Sequence, residues 1–152
     1  LQNGGSFIDA AKSFVEAAKK VFSIEEAKSA LSIIKEAESE GSELAAMLQV
    51  IYYDETKDKT GQEECLIRIA EKYPFFNLML GESYVLKYQE CEDYSYIQKA
   101  IECYYKADAY GMLNPKYASA LLRMYDNFSE KGLLKSDEKE IERLKILAKR
   151  TY

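Results

Sequence analysis

Two thirteen-residue segments of this chain superpose without a gap: SALSIIKEAESEG at 29–41 and KAIECYYKADAYG at 99–111. Both carry alanine at the second and ninth places (Ala30 and Ala37, Ala100 and Ala107) and glycine at the last (Gly41, Gly111). A third copy, GQEECLIRIAEKY at 61–73, keeps the spacing, with Cys65 where Ile33 and Cys103 stand and Tyr73 in place of the glycine. After each copy comes a second pattern with intervals of three and four residues: Ala45-Leu48-Tyr52, Asn77-Leu80-Tyr84 and Ala118-Leu121-Tyr125. Those intervals are helical. Small residues let two helices approach closely, and leucine and tyrosine fill the space where the next pair packs. A single hairpin of this kind cannot bury its own apolar face, so copies must stack.

Caps and breakers mark where the helices fall. Ser6 caps an expected N-terminal helix over 6–22, whose stripe is Phe7, Ala10, Ala11, Phe14, Ala18 and Val21. Ser23 with Glu26 forms a capping box for a helix over 24–39, which Gly41 closes. Ser42 opens 43–55, which absorbs the β-looking VIYY at 50–53. TKDKTG (56–61) reads as a turn before a helix over 62–73, and Pro74 starts the next at 75–88. QECEDYS (89–95) reads as a loop, followed by helices over 96–110, 115–130 and 137–150, with Asn114-Pro115 and Ser136 as starts and Gly111 and Gly132 as stops. The expectation is one all-α domain over 1–152, with 6–22 as a capping helix and about three and a half hairpin repeats over 24–150.

The combination of KAIECYYKADAYG, the leucine-glycine-tyrosine pattern LGESY (80–84), the Ala-Leu-Tyr triplet and Asp93-Tyr94 ahead of its helix resembles a Sel-one-like repeat, a longer relative of the tetratricopeptide repeat. Successive copies are unevenly spaced, 32 residues from Ala45 to Asn77 and 41 from Asn77 to Ala118. The resemblance implies a right-handed α-α superhelix of seven or eight helices. It also implies an adaptor or scaffold role, because none of the shared residues is catalytic.

Composition narrows the chemistry. There is no His, which removes the usual neutral-pH base and with it Ser-His-Asp, Cys-His and His-containing zinc sites. The net charge of −5 and the lack of any basic run longer than Lys19-Lys20 or Lys149-Arg150 argue against nucleic acid and anionic membranes. No apolar stretch approaches the ~18 residues of a membrane span, so no membrane insertion is expected. Cys65, Cys91 and Cys103 are an odd number with no CxxC pair, which favours free thiols in a reducing compartment over a disulfide framework. A start at Leu1 and not Met fits a processed or trimmed chain, so an exported protein is also compatible. Glu25-Glu26, Glu63-Glu64 and Glu90/Glu92/Asp93 fall at expected helix starts or in loops, where acids suit the helix dipole or solvent better than acid-base work. No enzyme, cofactor or metal is expected.

Function is then expected on the inner wall of the superhelix, lined by the first helix of each pair. With Leu48, Leu80 and Leu121 packed inward, the groove residues are Glu43, Ala46, Val50 and Tyr53 in the first copy. They are Phe75, Leu78, Glu82 and Val85 in the second, and Lys116, Ser119, Arg123 and Asp126 in the third. Such a strip suits a partner protein or a peptide with an acidic end. An inhibitor or immunity-type protein that plugs a partner enzyme is the alternative. Tyr52, Tyr84 and Tyr125 are expected in the core, and Tyr53, Tyr88 and Tyr96 at the surface.

Overall fold

The computed structural model describes residues 24–132, 135 and 137–150. The expected helix over 6–22 with its Ser6 cap, the Ser23 capping box and Ser136 lie outside these. The chain is all-α, with no strand among the described residues. Its helices are α1 (Ile24–Ser39), α2 (Glu43–Glu55), α3 (Lys59–Lys72), α4 (Phe76–Cys91), α5 (Tyr94–Asp108), α6 (Pro115–Phe128) and α7 (Glu138–Ala148), with a 3-10 turn at Ser129–Lys131.

The two glycine-ended copies finish alike. Gly41 donates its N–H to Glu38 O (2.9 Å) and Ser42 to Ala37 O (3.1 Å); Gly111 donates to Asp108 O (2.8 Å) and Met112 to Ala107 O (3.1 Å). Both glycines have positive φ, +103° and +70°, the left-handed turn that glycine makes without a Cβ penalty. The copy ending in Tyr73 stops in extended backbone instead (φ −122°).

Three boundaries move because a residue caps earlier or later than composition suggests, and the helices expected over 96–110, 115–130 and 137–150 end two residues sooner, at Asp108, Phe128 and Ala148. Asp58 accepts from Gly61 N at 2.9 Å, so α3 starts at Lys59 and only 56–58 is left as turn. Glu92 takes the left-handed conformation (φ 57°), and Asp93 accepts from Ser95 N. The expected seven-residue loop at 89–95 therefore shrinks to Glu92-Asp93, and Glu90 lies inside α4. Asp137 is the cap of α7, accepting from Lys139 N and Glu140 N.

Two compact units divide at Tyr73/Pro74. In the first, α2 packs between α1 and α3, with Ala46, Met47, Val50 and Ile51 buried alongside Cys65, Leu66 and Ile69. Arg68 on α3 donates to Glu38 on α1 and, at 3.0 Å, to the wholly buried Gln49 on α2. In the second unit α4 lies so close to α5 that a Cβ on Gly81 would sit 2.5 Å from the Tyr104 ring. On α6, residues 117, 118, 121, 124, 125 and 128 are all buried, a helical stripe that completes the core.

Side-chain contacts set the order of the second unit. Tyr105 meets Glu140 and Asp108 meets Arg143, both 35 residues apart, so α5 and α7 lie side by side and run the same way. Glu82 meets Lys116, 34 residues on, and Tyr88 meets Phe128 with ring centroids 5.4 Å apart, so α4 and α6 do likewise. Glu38 and Asp108 occupy the same place in their copies, and each binds an arginine from a later helix.

The Arg143 fork holds α7. It donates to both Asp108 carboxylate oxygens (3.1 and 2.7 Å) and to Glu140 (2.7 and 3.0 Å), while Leu144 is the one buried residue of α7. Arg143→Ala leaves two carboxylates facing each other. Because the arginine is 42% exposed, solvent screens part of the loss, and a destabilisation of about 1–2 kcal/mol is expected. Amide exchange in α7 should quicken by about tenfold, as that loss implies, while α4 stays protected. Equal quickening across α4 to α7 would contradict a local clamp.

Candidate functional site

An open groove of about 550 Å³ runs along the second unit between α4 and α6. Glu82, Val85, Leu86 and Gln89 form its α4 wall, at helical intervals that put all four on one face. Lys116, Ala120, Arg123 and Asn127 form the α6 wall in the same way. The floor is Ile97 and Tyr104 of α5 with Tyr117 and Met124 of α6, all buried. Tyr88 and Phe128 close one end, packed edge to face.

The floor is rigid and aromatic. Tyr104 and Tyr117 have ring centroids 5.4 Å apart. Burial, then the Glu82 carboxylate, push both phenols well above their usual range, so they stay protonated at neutral pH. Leu86 is the exception to the buried apolar set, 60% exposed on the wall.

The cations differ. Lys116 donates to Glu82 at 2.5 Å and sits 5.1 Å above the Tyr117 ring. That pair is exposed at the lysine end (70%) and contributes little stability, but it neutralises the lysine. Among the described residues no carboxylate pairs with Arg123.

Of the strip expected from sequence, Glu82, Val85, Lys116 and Arg123 are brought together here. Leu78 (1% exposed) and Phe75 (7%) are core residues, as are Ala46 and Val50 in the first unit, and none of the four offers surface to a partner. Ser119 and Asp126 sit on α6 outside the groove. Glu43 is half-buried in the first turn of α2. Tyr53 lines a separate cleft of the first unit with Lys35, Glu64, Cys65 and Arg68, its ring against Gly61. Expectation missed Leu86, Gln89, Ala120 and Asn127. Their signal was available: they complete the helical intervals begun by Glu82 and Lys116.

Tyr84 and Tyr125 are buried as expected, while Tyr52 is half-buried, and so are the expected surface residues Tyr53, Tyr88 and Tyr96. The cysteines are free. Burial raises the Cys65 thiol, against the pull of Arg68, and raises Cys103 to about 11, so neither is a nucleophile at neutral pH. Cys91 is exposed. Among the described residues no helix is long and apolar enough to cross a membrane. No protein-family model matches the chain, and no curated protein or solved structure does either.

Proposed function

We propose that this chain is a non-enzymatic protein-binding module of the Sel-one-like, tetratricopeptide-like kind, and that the α4/α6 groove takes a segment of a partner protein. The reading is supported by the parallel side-by-side pairs α4/α6, whose contacts lie 34 and 40 residues apart, and α5/α7, whose contacts lie 35 apart. Hairpins stacked as successive turns of a right-handed α-α superhelix make such contacts. The observation that carries the binding role is Leu86, an exposed aliphatic side chain on the wall of a groove whose floor is buried tyrosine. Among the described residues, Leu86 is the one exposed large hydrophobic side chain that lines this groove. There it is continuous with the apolar floor and not isolated on the surface, and an apolar anchor in a rigid trough loses little entropy on binding.

Selection of a random-peptide display library on the immobilised protein tests this. Enriched peptides should bind the wild type, and Leu86→Asp should weaken them by more than about tenfold with the helical circular-dichroism signal retained. Glu102→Gln, on the exposed side of α5, serves as control and should change nothing. Peptides that ignore Leu86→Asp, or a library that yields no binders, would place the function elsewhere.

A further inference from the structure

Resting on that groove as the binding surface, we infer that the segment it takes presents a single carboxylate, read by Arg123, and that Glu82 excludes a second one by occupying Lys116. The two cations stand seven positions apart on α6, about 10 Å along the helix, so they act as separate sites. At one of them the charge is already matched. A carboxylate approaching Lys116 meets the Glu82 oxygen held 2.5 Å from Nζ, and like charges brought together there oppose docking.

At the other, the guanidinium has no carboxylate partner among the described residues, Asp126 on its own helix included. Arg123 is exposed on the wall of the groove whose floor includes the buried Tyr104. Solvent screens a single-point ion pair made there, but a guanidinium fork suits a carboxylate in two-point contact. Leu86 on the facing wall offers the apolar anchor in the same groove. The occupant is thus a peptide segment with an aliphatic or aromatic side chain beside one Asp or Glu. Glu82 becomes a specificity residue for it.

The display experiment separates the two levels. Enriched peptides should carry one acid beside an apolar residue. Replacing that acid by its amide should weaken binding to the wild type by about tenfold and leave binding to Arg123→Gln unchanged. Glu82→Gln retains a hydrogen-bonding side chain but frees Lys116, and should raise the affinity of peptides carrying two acids by about tenfold. Peptides that depend on Leu86 yet are neutral or basic, or whose acid matters equally on Arg123→Gln, would overturn this inference and leave the groove standing. Peptides indifferent to Leu86→Asp would remove the groove itself.

Discussion

Gly81→Val is expected to destabilise the chain by about 3 kcal/mol and to abolish peptide capture by the groove. The bare Cβ already falls 2.5 Å from Tyr104 Cε1 and 2.9 Å from Cδ1, and valine adds two methyl groups to that clash. The ring cannot swing away. It is 2% exposed and its far side meets Tyr117, centroids 5.4 Å apart, so either α4 and α5 separate or the groove floor tilts into α6. Valine recovers only a few tenths of a kcal/mol in helix propensity over glycine. Alanine recovers about 1 kcal/mol, so Gly81→Ala should be the milder change. Urea midpoints measure the loss, and a cycle with Tyr104→Leu identifies its cause. The double variant should regain at least about 1 kcal/mol over the sum of the singles. Simple additivity would mean that the helices are not held together by this contact.

That glycine shows where sequence reasoning succeeds and where it stops. The leucine-glycine pair of LGESY (80–84) marks a close helix approach by its residue type alone, and Gly81 is indeed where α4 meets α5. Gly41 and Gly111 were equally legible, because a glycine after a helical stripe has one common use, the left-handed stop. What the intervals could not supply was the rotation of each helix about its axis. Nor could they supply where along a face burial ends: Phe75, Leu78, Glu82 and Val85 share one helical face, yet the first two fill the core and the last two, one to two turns on, are half-buried on the groove wall. On α6 the difference is a single residue: the expected strip holds Ser119 and Asp126, and Ala120 and Asn127 line the groove wall. An amphipathic stripe wider than 100° leaves that rotation open, and only the neighbouring helix fixes it. Charge pairing was less legible still. The shared acid of Glu38 and Asp108 was in the alignment, but its arginine partners lie 30 and 35 residues away on helices whose facing edges the sequence does not define.

The same burial makes the protein expected to unfold cooperatively in alkali, between about pH 10 and 12 by the following balance. Cys65, Cys103, Tyr104, Tyr105 and Tyr117 all have pKa values raised, with burial the first cause in each. A thiol or phenol raised in this way holds its proton more tightly folded than unfolded. Its contribution is whole below the unfolded pKa, about 8.5 for a thiol and 10 for a phenol, and is lost as pH rises through the folded value. For Cys103 that window runs from the unfolded thiol value up to about 11, and each unit of it weighs about 1.4 kcal/mol. The three phenols extend the loss in the same direction at higher pH. Because a domain is stable by only about 5–15 kcal/mol, five groups that all lose stability in the same direction erode that margin as pH rises. Ionisation of the buried phenols and loss of helical circular dichroism should therefore coincide in one step. Cys103→Ala should flatten the decline in stability between pH 9 and 11. Phenols that all ionise near pH 10 with helicity intact would show that Tyr104 and Tyr117 do not form the closed floor on which the groove rests.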